Sequence, residues 1–474
     1  MKVLGAFLLV AYFALLVANA CFFASGPDTS GYLNQARLIA KLQTAAPIEP
    51  LISLRLDPSH AHLFTPYGFA PGRPFTMVAT YPAGTSAHLA LAAAVAGWRI
   101  APFLVGPLAA VGCLAAIAYL ARQCGLPRAW SWAAAVLLGA SPPFVLIALQ
   151  PASDVLATLY SLIAVVCALR SVERRRWAAA AGLAFAIGVA VRPTNVLVAV
   201  PVLLAMRARP KQLAIAAVAA APVAAVLLWY HVARFGSLAE TGYGPLRTIV
   251  SLTSIPPCLL AHADRLASTA LPGAFPLGLL AAFNAGLDRC RRSLLIGWFA
   301  VFFAFYSLYD FCGDWSSSRF LLPAFPPLII GFLLWARSLR TRLRLLPASL
   351  VLIALSLQVV ELRERRVFAI DEHESIFPRT VAWVEQQVPR DAVVLSSIVS
   401  GAYYYHADRI TLRWDQLDAT TADGLRDAYP SGTPWYAVVS TVEGGVERLN
   451  RHAPRKWVAV GRLRDVTLWR STED

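Results

Sequence analysis

Charge is scarce in this sequence of 474 residues, and negative charge is the scarcer sign. Charged residues make up 15%, with 27 Asp and Glu against 42 Lys and Arg. The resulting net charge of +15 and pI near 9.8 would suit a nucleic-acid partner. The basic residues, however, fall in short runs between apolar segments, as membrane orientation signals do, and nucleic-acid binding is disfavoured. The seven cysteines include no CxxC pair, and most lie in or beside apolar runs, where buried thiols are the expected state. No GxSxG, Walker loop, HExxH or dinucleotide fingerprint occurs. Their absence removes soluble-cofactor chemistry and ATP-driven transport. His60 and His62 are too close together for the usual helical metal pair.

Apolar residues are what the chain has in abundance, at 58% of the sequence and a mean hydropathy of +0.57. Apolar runs of roughly 17–22 residues mark a multi-span membrane protein. Arginine clusters at 122–128, 170–176, 207–211, 289–292 and 337–344 are separated by pairs of such runs. Placing every cluster in the cytoplasm is therefore self-consistent. The spans fall near 3–23, 101–121, 129–149, 155–171, 177–192, 194–206, 211–230, 271–287, 293–309, 320–336 and 345–361. These are about eleven crossings, with the N-terminus inside and the C-terminal tail outside. Ala18-Asn19-Ala20 resembles a signal cleavage site, but the apolar run continues through Phe23, and it is read as an uncleaved span. The segment Gly84–Trp98 is apolar but short, and is expected to be a juxtamembrane or re-entrant helix on the outer face.

The fold class expected is a mainly α polytopic transmembrane bundle, residues 1–361, with a small α/β domain at 362–474. Residues 24–100 form the longest outer loop of the membrane part, rich in proline, glycine and aromatics, and a loop of that size points to function. Within it, Leu33, Ala36, Ile39 and Ala40 share one face of a helix along the membrane surface. Asn34, Gln35, Arg37 and Lys41 take the other. A second outer loop, 231–270, carries Glu240, Tyr243 and Arg247. Cys258 and Cys312 both fall outside, where they could pair. In the tail, a helix at 376–388, a buried strand at 392–396 and a helix at 398–406 are followed by strands at 435–440, 456–461 and 466–469. Further helices are expected near 422–429 and 446–450.

Few ionisable residues lie near membrane depth, and each is costly there. Asp28 and Asp154 both sit where an apolar span meets the outer surface, and each is either a helix cap or a working acid. Arg319, near Asp310 and Asp314, and Arg192 stand at outer span ends. A guanidinium there suits a phosphate, an interfacial anchor or a structural ion pair.

Taken together, these stretches resemble the GT-C superfamily of membrane glycosyltransferases, relatives of protein O-mannosyltransferases and lipid A aminoarabinose transferases. The similarity rests on Pro27, Asp28, Gly31, Tyr32, Leu33, Ala36 and Arg37 after the first span, and on Tyr81-Pro82-Ala83-Gly84. It continues with Ser153-Asp154, Arg192-Pro193-Thr194 and Arg319 to Pro326. The resemblance covers residues 1–327. It implies a hexosyl- or pentosyltransferase of the bacterial cytoplasmic membrane. Such an enzyme moves sugar from a polyprenyl-phosphate carrier to a glycan, glycolipid or protein acceptor on the outer face, with inversion. It further implies Asp28 as general base, Asp154 as its helper, and Arg319 with Arg192 on the leaving phosphate. Tyr32, Tyr81 and Asp314 complete the substrate-binding set. Several relatives carry a second acid beside the loop-one aspartate, whereas this chain has Thr29, so a divalent metal is not indicated and no cofactor is assigned. The alternatives are a transporter or flippase of lipid-linked sugars and an inactive scaffold of the same fold. A transporter would want charge at mid-bilayer and broken helices, but here the acids cluster at the outer surface.

Overall fold

The computed structural model describes residues 2–237, 242, 250–283, 287–309, 311–339 and 345–472. Asp310, Glu240, Tyr243 and Arg247 lie outside these. Helices dominate the N-terminal three-quarters and pack around one apolar core that runs from Leu16 to Ile370. Among the described residues, five helices are by length and composition apolar and long enough to cross a membrane: Ala101–Gln123, Ser153–Ser171, Pro210–Phe235, Trp315–Ser338 and a run beginning at Leu346. A sixth is the pair Arg128–Gly139 and Pro142–Ala148, bent by 69°, where Ser141-Pro142 interrupts the helical hydrogen bonds. Trp315–Ser338 is the innermost, 83% buried, while Pro210–Phe235 turns nearly all of its surface outward.

Several expected spans prove shorter. The first helix is Lys2–Asn19, and 194–206 divides into Pro193–Val198, wound as a 3-10 helix, and Ala199–Ala205. The expected span at 271–287 is corrected: its described helical part is a 3-10 turn, Leu277–Phe283. Pro272, Gly273, Pro276 and Gly278 deny it the backbone of an α-helix. The short apolar segment is a helix, Ala83–Ala96, packed against Pro27–Ala40 and Arg176–Val191. A Cβ at Gly84 would run into the backbone of Ala190 and Val191, so glycine is what allows that approach.

The tail forms a four-stranded sheet in the order Val393–Ser396, Trp435–Ser440, Val466–Ser471, Trp457–Leu463. The first pair is parallel, with Val393 opposite Trp435, and the others are antiparallel. Helix Ser400–His406 from this unit lies on helix Pro27–Ala40. Arg37 donates to the Tyr405 carbonyl (2.7 Å) and stacks over its ring (3.7 Å), and Asn34 donates to the Gly401 carbonyl (3.0 Å). The surface-helix expectation is therefore corrected. Thr29 to Ala36 are buried on all sides, because the tail covers one polar face and the long loop covers Gln35.

Candidate active site

Helix Pro27–Ala40 begins at its proline, which presets the first turn. Gly26 is the N-cap residue and no side chain caps the helix, so Asp28 is not the cap that the sequence allowed. The carboxylate is engaged elsewhere. Tyr81 donates its hydroxyl to Asp28 Oδ1 (2.8 Å), and Arg319 Nη2 donates to Oδ2 (2.7 Å). Burial works to raise the Asp28 carboxyl. The Arg319 charge and hydrogen bond, the Tyr81 bond and the charge of Arg192 outweigh it, and hold the group below the usual carboxylate range.

Tyr81 is fixed from three directions. Gln35 donates to its carbonyl (3.0 Å), as does Arg234 from the end of Pro210–Phe235 (2.9 Å). Its ring packs on Tyr32, with centroids 4.6 Å apart. Gly31 makes room for that ring, since a Cβ there would overlap it. Burial, then the charge of Asp28, push the Tyr32 hydroxyl well up.

The second pair stands beside the first. Asp154 lies in the first turn of Ser153–Ser171, whose N-cap residue is Ala152 without a side-chain bond, so neither Ser153 nor Asp154 caps it. Its Oδ1 accepts from Arg192 Nη1, both side chains being largely buried at 4% and 15% exposure. Arg192 follows Arg176–Val191, and Asn195 pins that turn by donating to the Ala157 carbonyl (2.9 Å). Arg192 also donates to Thr194 Oγ1 (3.3 Å), which shares a hydrogen bond with Tyr306 (2.8 Å). Both guanidinium groups lie against Phe320, at 5.0 Å for Arg192 and 5.3 Å for Arg319. Phe320 stacks on Tyr306.

Of the seven residues expected from the sequence, Asp28, Asp154, Arg192, Arg319, Tyr32 and Tyr81 converge. Asp314 does not. It is exposed and caps the 3-10 helix Trp315–Ala324, accepting from Ser316 N (3.0 Å), where it stabilises the element carrying Arg319. Thr194 and Phe320 belong to the motifs that carry the resemblance, though the sequence assigns them no role. Tyr306, Gln35 and Arg234 give no signal: an aromatic in an apolar run, a polar residue on a helix face expected to be polar, and a basic residue at the edge of an outer loop. Among the described residues no group of three or more His, Cys, Asp and Glu is placed to hold a metal. Two acids and two permanent cations around an aromatic floor can hold a phosphate on the guanidinium side and accept a proton on the carboxylate side.

No family model matches the sequence, and no curated protein matches it either. Solved structures show the fold, which this chain shares with several of them over nearly its whole length. Among them is ArnT from Cupriavidus metallidurans bound to undecaprenyl phosphate, with a TM-score of 0.59 and 13% identity over 100% of this chain and 98% of that one. The Archaeoglobus fulgidus oligosaccharyltransferase gives 0.54 and 12% over 95% and 71%. The mycobacterial arabinofuranosyltransferase AftD gives 0.56 and 16% over 99% and 41%.

Proposed function

We propose that the protein is an integral-membrane glycosyltransferase that moves a sugar from a polyprenyl-phosphate carrier to an acceptor hydroxyl on the outer face of the bacterial cytoplasmic membrane. The observation that carries this reading is the Asp28–Arg319 pair standing beside Asp154–Arg192. The fold shared with a structure bound to undecaprenyl phosphate supports it, as does the disulfide between Cys258 and Cys312, a bond that persists in oxidising compartments. On this reading the N-terminus is cytoplasmic and residues 362–474 face outward.

Arg319 neutralises Asp28. A carrier phosphate entering beside Arg319 and Arg192 competes for those guanidinium groups. Asp28 then loses part of the field that depresses its carboxyl and becomes a stronger base as the donor arrives. It takes the proton of the acceptor hydroxyl. That oxygen attacks the anomeric carbon from the face opposite the phosphate, and the sugar–phosphate C–O bond breaks with its electron pair going to the leaving phosphate. The configuration inverts. Arg319 and Arg192 stabilise the charge as it develops, without titrating. Asp154 keeps Arg192 aimed, and Tyr81 keeps Asp28 aimed.

The test is a purified, reconstituted protein given a radiolabelled polyprenyl-phosphate sugar and an envelope extract as acceptor. A new glycosidic bond with release of polyprenyl phosphate is expected. Label carried across the bilayer with no bond formed would replace the enzyme by a flippase.

A further inference from the structure

The helix Ile255–Arg265 has no part in the site described above, yet one stripe of it grips the segment that leads to Arg319. Cys258, His262 and Arg265 are spaced i, i+4, i+7 and so share a helical face. Cys258 is bonded to Cys312. His262 Nε2 donates to the Tyr306 carbonyl (3.2 Å). Arg265 makes the densest contact, donating to the carbonyls of Cys312 (2.6 Å) and Gly313 and to Ser317 Oγ (3.0 Å). Ser317 lies two residues before Arg319 and itself donates to the Asp314 carbonyl (2.6 Å). The stripe therefore holds the backbone that leads into the 3-10 helix Trp315–Ala324 and a side chain of its first turn.

We infer that Arg265 is a positioning residue for Arg319: it latches residues 312–317, with the disulfide as a second, covalent latch, so that the guanidinium of Arg319 meets a phosphate in one fixed place. The reason is geometric. A 3-10 helix of this length has weak internal hydrogen bonds and does not hold its own direction. Arg319 reaches Asp28 across 291 residues of sequence, and a displacement on the order of 1 Å at such a site is enough to lose most of its effect. The planar fork of Arg265 reaches two adjacent carbonyls from one nitrogen and a hydroxyl from the other, a span that the single nitrogen of lysine matches only in part. This inference rests on the proposed phosphate role of Arg319.

The experiment is direct binding of radiolabelled undecaprenyl phosphate to the purified full chain, in nanodiscs, for Arg265→Gln, Arg319→Gln and the double variant. Arg319→Gln is expected to weaken binding about tenfold, the usual scale for one charge-assisted contact. Arg265→Gln should weaken it several-fold, Arg265→Lys less so. The double variant should be no weaker than Arg319→Gln alone, because Arg265 acts through the residue already removed. Wild-type binding by Arg265→Gln, or losses that multiply in the double variant, would overturn the latch. Wild-type binding by Arg319→Gln would overturn the phosphate role first and the latch with it. Should Arg265→Gln not fold, Cys258→Ser with Cys312→Ser opens the covalent latch instead. Weaker binding that does not add to Arg319→Gln is again expected, and unchanged binding refutes the inference.

Discussion

The two acids of the site sit in different surroundings, and removing their charges should have opposite signatures. Asp154 and Arg192 are 4% and 15% exposed, whereas Asp28 and Arg319 are 42% and 25% exposed. Changing Asp154 to Asn leaves a buried guanidinium without its counter-charge, a loss of about 3–5 kcal/mol in comparable buried pairs. Its remaining bond to Thr194 places the expected cost near the lower end of that range. Changing Asp28 to Asn removes a pair that water can reach, about 0–1 kcal/mol after solvent screening. Asn can still accept from one of Tyr81 and Arg319. Asp154→Asn should therefore be less stable than Asp28→Asn by about 2–3 kcal/mol, read by denaturant titration of both variants in mixed micelles. Neutralising both partners, as Asp154→Asn with Arg192→Gln, should recover part of the loss, since an amide pair leaves no buried charge. If Asp28→Asn proves as destabilised as Asp154→Asn, the division of labour between a structural acid and a working one is wrong.

Further outcomes follow from the same geometry. Because the folded Asp28 carboxyl titrates below its unfolded counterpart, its contribution to stability is present above the ordinary carboxylate range and is lost as pH falls through the lowered value. The acid limb of kcat/KM should accordingly lie below that range, and the residual activity of Arg319→Gln should show the limb moved to higher pH. Tyr81→Phe removes one hydrogen bond worth about 0.5–1.5 kcal/mol, so a rate reduction of about two- to tenfold is expected, with donor KM little changed. Arg37→Ala loses both the bond and the stacking with Tyr405, and limited proteolysis should cut between the tail and the helical bundle faster than in wild type.

Much of this arrangement can be read from local signals. Pro27 and Asp28 mark a helix start, and the strands near 393, 435 and 466 stand out as apolar runs between turns. Asp28, Asp154 and Arg192 sit at the ends of helices, and charged residues at the ends of apolar helices are easy to find. What could not be read depends on partners distant in sequence. Asn34 and Gln35 look solvent-facing until the Gly401 and Tyr81 carbonyls arrive from 367 and 46 residues away. Apolar composition at 271–287 suggested a span, but proline and glycine at 272, 273, 276 and 278 override composition through backbone geometry. Asp314 carries the right charge in the right loop and spends it on the backbone of Ser316. Arg265 gave no signal, because a basic residue ending an outer helix is ordinary until the carbonyls it holds are known.

The most direct test of the central claim is sugar transfer by Asp28→Asn, measured with a radiolabelled polyprenyl-phosphate sugar alongside donor binding. A general base contributes about 10²–10⁴-fold to rate. The account predicts a loss of transfer on that scale with the protein folded and donor still bound. Transfer within a factor of about two of wild type would contradict it.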